Sequence, residues 1–259
     1  SVEIPKSLQE THTYLDYYRG SGPFNGCEKL NNITFENGIT EISCHLFEGC
    51  NGIERIVIPN TVKVIENGAF YECVKLKEVV IGNSAETIEG TAFTNCTSLT
   101  KVNIPDTVDS IGNSAFSGCT NLIEVHLPDK LKEIASDTFS GCKKLTTINF
   151  PSTLTMIGNS AFSGCESLPE AILPSGVEKI ESNAFKNCKA MKKAVVPDTV
   201  SSIGSSAFYG CEALTDITLG SKLKEIESQT FYGCTVLPSI VIPYNVTTIG
   251  DSAFVNCTK

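Results

Sequence analysis

Eleven cysteines recur every 23 residues from Cys27 to Cys257, with no insertion or deletion between them. A phenylalanine stands three residues before each, from Phe24 to Phe254. A period this strict copies one structural unit along an axis, which defines a solenoid rather than an ordinary globular fold. It also divides the sequence into two parts. Recurring positions hold the stack together, and binding is written where positions vary.

Ten complete units align on C-x-x-L-x-x-I-x-I-P-x-x-V-x-x-I-x-x-x-A-F-x-x. Leu76, Leu99 and Leu122 occupy the third position after Cys, and Val79, Val102 and Val125 come three further on. Ile81, Ile104 and Leu127 follow two residues later, which is strand alternation with one face inward. Pro then closes the strand at Pro59, Pro105, Pro128, Pro151, Pro174, Pro197 and Pro243, because it has no N–H for a ladder. A second inward pair follows, such as Val108 with Ile111. The unit ends in a polar turn, Asn113 to Cys119, where Ser or Asn is expected to cap one helical or 3-10 turn. One unit alone has too little core, so stability comes from stacking.

The cysteine column admits three readings. Stacked coils lie ~4.8 Å apart, which satisfies the Cα spacing of a disulfide. In-register side chains point the same way, however, and each Cys has two equivalent neighbours, so pairing would break the period. Metal binding needs clustered ligands, and His12, His45 and His126 are not spaced to supply them. The third reading is a buried column of free thiols acting as small hydrophobes, and this is the expectation adopted. Cys44 is out of register with the column.

The run Leu99 to Cys119, repeated as Leu145 to Cys165, closely resembles the BspA-like subclass of leucine-rich repeats. The resemblance covers residues 28–257. It implies a right-handed leucine-rich-repeat solenoid, β-rich, with one long parallel sheet on the concave side and short strands with helical or 3-10 turns on the other. It also implies a cell-surface or secreted, often adhesive, role in host-associated bacteria or mucosal protozoa.

Two irregularities break the pattern. Pro5 lies 22 residues before Cys27 where later units have 14, so about eight extra residues sit around His12 to Gly22. Residues 1–27 thus read as a partial first repeat whose insert, with Tyr14, Tyr17 and Tyr18, acts as a makeshift cap. Residues 28–259 read as ten repeats in one solenoid domain, a segment of a longer protein. Second, units with I-G-x-S-A-F, at Ile111, Ile157, Ile203 and Ile249, alternate with units such as Lys132-Glu133-Ile134, a 46-residue super-period.

Residues four and two before the Pro face outward. The nearer set is Val57, Val80, Asn103, His126, Asn149, Ile172, Val195, Thr218 and Val241. Outward Val and Ile form a candidate contact surface, although β-propensity alone also accounts for them. The farther set switches sign through Arg55, Glu78, Lys101, Glu124, Thr147, Glu170, Lys193 and Asp216, as a salt-bridge ladder would. Candidate partner-binding residues are the nearer set together with Arg55, Lys101 and Lys193.

The net charge of −9 argues against a nucleic-acid partner. No apolar run is long enough to span a bilayer. No hydrolase, metalloprotease, P-loop or dinucleotide motif occurs, so neither an enzyme nor a cofactor is expected. The sequons at Asn32, Asn95, Asn245 and Asn256 read as chance, and the broken column Thr61, Ser84, Thr107, Lys130 excludes an ice-binding ladder. The expectation is a monomeric interaction or adhesion module for a protein or glycan, with a ligand-free spacer as the alternative.

Overall fold

The computed structural model describes residues 1–10 and 22–259. From Ile33 to Ile226 each 23-residue coil lays down two short strands and one long turn, and the last coil keeps only its second strand, Thr248–Ile249. First strands run Arg55–Val57, Glu78–Val80, Lys101–Asn103 and Glu124–His126, and second strands run Val64–Ile65, Thr87–Ile88 and Ser110–Ile111. Every strand pairing is parallel, and from Glu41 onward each residue lies opposite the one 23 further along, as in Ile56 with Val79 and Val79 with Val102. At the start, Val2 lies opposite Ile33, an offset of 31 residues that exceeds the repeat by eight. The insert with Tyr14, Tyr17 and Tyr18 lies outside the described residues.

The inward sets form one continuous core of Leu, Ile, Val, Ala, Phe and Cys. Consecutive Phe rings from Phe47 to Phe231 stack with centroids 5.2 to 5.7 Å apart, in nearly parallel planes. Coil spacing and offset ring stacking are satisfied by the same distance, which makes Phe a natural repeat residue. The cysteines are free thiols, buried from Cys50 to Cys234, while Cys27 is exposed and Cys257 and Cys44 are half-buried. The column is therefore open at its first member, contrary to the expectation of uniform burial.

The long turns differ from the helical form expected of them. The one 3-10 helix among the described residues is Lys6–Glu10. Between Gly112 and Cys119 the N–H groups alternate in direction. Ser114, Phe116 and Gly118 donate to Ser136, Thr138 and Ser140 of the next coil at 2.9, 3.0 and 2.7 Å. Ala115, Ser117 and Cys119 donate three residues back, to Gly112, Ser114 and Phe116, at 3.3, 3.0 and 3.2 Å. This zigzag needs left-handed residues, and Ser114 (φ 59°) and Gly118 (φ 71°) supply them. The same two positions are left-handed in every coil, from His45 to Ser252 and from Gly26 to Asn256. Ser114 is thus a left-handed corner and not a helix cap.

The I-G-x-S-A-F units have a steric origin. A Cβ at Gly112 would run into the backbone nitrogen of Gly90, and one at Gly204 into that of Ser182.

The sheet of first strands is not one long sheet. It runs unbroken from Arg55–Val57 to Thr147–Ile148, restarts at Glu170–Ile172, and ends at Asp216–Thr218. Pro169 stands just before Glu170–Ile172, and Pro238 stands at the same repeat position one coil beyond Asp216–Thr218, where no first strand forms. At this position Ile123, Thr146, Lys192 and Thr215 donate their N–H to the preceding coil at 2.8 to 3.0 Å. Pro169 and Pro238 have no N–H to donate, so the ladder to Thr146 and Thr215 is not made.

Candidate interaction surface

The first strands fix which side chains leave the core. In Arg55–Val57, Glu78–Val80 and Lys101–Asn103 the middle residue is buried and both flanking residues are exposed. Parallel register then lines up Val57, Val80, Asn103 and His126 as one row across four coils. Val57 is 44% exposed and Val80 38%, so they form an aliphatic step on the surface. A second row, Ile172, Val195 and Thr218, lies beyond the break at Pro169, with Ile172 43% exposed. Val241 is exposed but belongs to no strand. The sequence-derived surface is therefore two rows and an isolated residue, not a single strip.

The three basic candidates are engaged within the chain. Arg55 pairs with Glu78 at 3.0 Å, Lys101 with Glu124 at 2.9 Å and Lys193 with Asp216 at 3.2 Å, each across adjacent coils. These solvated pairs are worth roughly 0.2–1 kcal/mol each. Their main effect is to remove like-charge repulsion at the coil spacing.

Asn149 is used by the fold. Its Oδ1 accepts the N–H of Leu127 at 2.7 Å and its Nδ2 donates to the Leu127 carbonyl at 2.9 Å. The side chain takes the place of a neighbouring strand for one residue, just before the sheet stops. Asn103 stands at the same position two repeats earlier, and its amide has no side-chain bond to another described residue. Shallow grooves flank it. One is walled by Val80 and Lys101, the other by Asn83, Asp106 and His126.

Sequence reasoning missed Asn83, Asp106 and Asp129, which follow the strand-ending Pro or Gly by one residue. Asn60 and Asp198 at this position spend a side-chain oxygen on the N–H of the next coil, at 2.9 and 2.8 Å. Asp106 and Asp129 make no such bond and pair with no described cation. The signal available in the sequence was two successive acids in a column with no basic neighbour on either side.

No group of three His, Cys, Asp or Glu side chains among the described residues converges on a metal-sized site. Burial pushes the Cys119 and Cys234 thiols up to about 12, and Cys96, Cys142, Cys188 and Cys211 well above the usual thiol range. A nucleophilic or metal-ligating thiol needs the opposite shift. Cys44 is pushed up to about 11 by partial burial and then by Glu66, Glu89 and Glu48. Among the described residues no helix is long and apolar enough to cross a membrane.

A stack of parallel coils with this inward pattern is a leucine-rich-repeat solenoid. The family described as BspA type leucine rich repeat region matches residues 1–122, 86–214 and 155–259, and the chain belongs to that family. Among solved structures, the leucine-rich repeat protein of T. pallidum is similar at 28% identity and a TM-score of 0.56, over 70% of this chain and 74% of that one. The pneumococcal vaccine antigen PcpA is similar at 26% identity and a TM-score of 0.54, over 84% of this chain and 52% of its own. A leucine-rich cell surface protein from Faecalibacterium prausnitzii A2-165 matches at 28% identity and a TM-score of 0.49, over 85% and 81%. No curated protein sequence matches the chain.

Proposed function

We propose that this chain is a monomeric interaction or adhesion module, displayed at the cell surface or secreted, that presents its first-strand face to a protein or glycan. The observation that carries the reading is the in-register exposure of Val57 with Val80, with Ile172 exposed beside a half-buried Val195 in the second row. Exposed aliphatic side chains on a sheet face lower their free energy when a partner covers them. The surface setting is supported by the likeness to a protein described as a pneumococcal vaccine antigen. Membership of a repeat family and dispersed carboxylates support a binding role over an enzymatic one.

A ligand-free spacer is the second reading. It is favoured by the engagement of Arg55, Lys101 and Lys193 in ion pairs within the chain. One experiment separates the two. Val57, Val80, Ile172 and Val195 are changed together to Asp, and the folded variant, checked by circular dichroism, is compared with the wild type in a pull-down. Loss of the wild-type partners supports the binding face, while recovery of the same partners rejects it.

A further inference from the structure

We infer that the partner on this face is a protein presenting an extended basic segment, docked along Val57, Val80, Asn103 and His126 with its cation at Asp106 and Asp129. This inference rests on the first-strand face being the binding surface, and it names the class of ligand.

The row itself sets the size. Four coils at ~4.8 Å give a row of about 14 Å, the length of four to five extended residues. Val57 and Val80 offer an aliphatic step at one end. Asn103 and His126 offer polar groups at the other.

Within this protein an asparagine at the Asn103 position already reads peptide backbone. Asn149, 46 residues on, holds both the N–H and the carbonyl of Leu127, at 2.7 and 2.9 Å. Asn103 carries the same paired donor and acceptor, but the strand ladder beside it is complete, so its amide is left open at the surface. An extended segment has the N–H and C=O spacing that this amide matches.

The charges select the segment. On the outer column Arg55, Lys101 and Lys193 each have an acid. Asp106 and Asp129 lie three residues beyond Asn103 and His126 on adjacent coils, exposed and without a cation among the described residues. Two carboxylates one coil apart repel, and a Lys or Arg between them relieves that repulsion. The net charge of −9 steers a basic partner toward the chain. A glycan fits less well. Sugar rings pack their apolar faces best on Phe, Tyr and Trp, and the outward residues of the first strands include none of these.

The test uses the full chain against a random library of peptides about eight residues long, and against a glycan array in parallel. Selected peptides are expected to carry Lys or Arg within a few residues of Val, Leu or Ile. Asn103→Ala, and Asp106→Asn with Asp129→Asn, are each expected to weaken them roughly tenfold. Lys189→Ala, on a distant turn, is the control and leaves affinity unchanged. Failure to select peptides, selection of peptides without a basic residue, or indifference to Asn103→Ala overturns the inference. Glycan-only binding that the four-Asp variant abolishes overturns the ligand class and leaves the face standing. Binding that survives Val57→Lys with Val80→Lys, which removes the aliphatic step and repels a cation, overturns the face itself.

Discussion

The thiol of Cys119 donates a hydrogen bond to the backbone carbonyl oxygen of Phe93, one coil earlier, at 3.2 Å. The same carbonyl accepts the N–H of Cys96 at 3.2 Å, so both of its lone pairs are used. The contact recurs every 23 residues, from Cys50 with Phe24 to Cys257 with Phe231. Cys is therefore small enough for the crowded column and still satisfies a buried acceptor.

Cys119→Ala removes a buried sulfur and this bond, and should cost about 1–2 kcal/mol of stability. Cys27→Ala removes an exposed sulfur and should cost close to nothing. Urea midpoints of the two variants check the contrast. Equal midpoints would mean that the column is not close-packed.

Burial holds the thiols neutral well above the pH at which an unfolded chain ionises, about 8.5. The Cys119 thiol is pushed up to about 12. Above pH ~8.5 the unfolded chain releases protons that the folded chain retains, so stability falls as pH rises. Below that pH the contribution is fully present. Each buried thiol adds about 1.4 kcal/mol per pH unit to the slope. Thermal midpoints should hold steady from pH 6 to about 8 and drop steeply above 9. Cys119→Ala should drop less steeply, and a parallel fall in the variant would refute this origin.

Much of this could be read from the sequence because it depends on side-chain periodicity. The inward residues Leu76, Val79, Ile81 and Phe70 are buried as the repeat requires. The charge ladder through Arg55, Glu78, Lys101 and Glu124 is also present, as pairs. What escaped lies in the backbone. Left-handed φ at Ser114 is needed because N–H groups in the turn alternate between local and next-coil acceptors, and Ser carries no signature of that. The sheet break escaped because the repeat template assigns no role to the position of Pro169, whose missing N–H belongs to the ladder with the previous coil. Asn149 looked like its neighbours in the outward row, and only geometry shows its amide turned onto Leu127.

Asp137 occupies the left-handed corner of its coil with φ 57°, and partial burial raises its carboxyl above the usual range. Its charged form is disfavoured in the fold, so the carboxyl's contribution is greatest at low pH and is lost as pH rises through its titration. Asp137→Asn keeps a residue that tolerates the left-handed region and removes the charge. At pH 7 it should be more stable than the wild type by a few tenths of a kcal/mol, since solvent screens a half-exposed group. Below about pH 3.5 the difference should vanish. Denaturation curves at the two pH values decide, and a pH-independent gain would assign the effect to the backbone.

Pro169→Ala returns the missing N–H opposite Thr146, where Thr146 itself donates to Ile123 at 3.0 Å. A restored bond contributes about 0.5–1.5 kcal/mol. Loss of proline's restriction on the unfolded chain costs about 0.4–1 kcal/mol. The two effects nearly cancel, so the denaturation midpoint is a poor readout. Hydrogen exchange is the better one. The new amide at residue 169 should be protected to the level of Lys192, and Thr147 with Ile148 should join the strand Glu170–Ile172 in one slowly exchanging sheet. Fast exchange at residue 169 would show instead that Asn149, by closing on Leu127, ends the sheet without help from the proline.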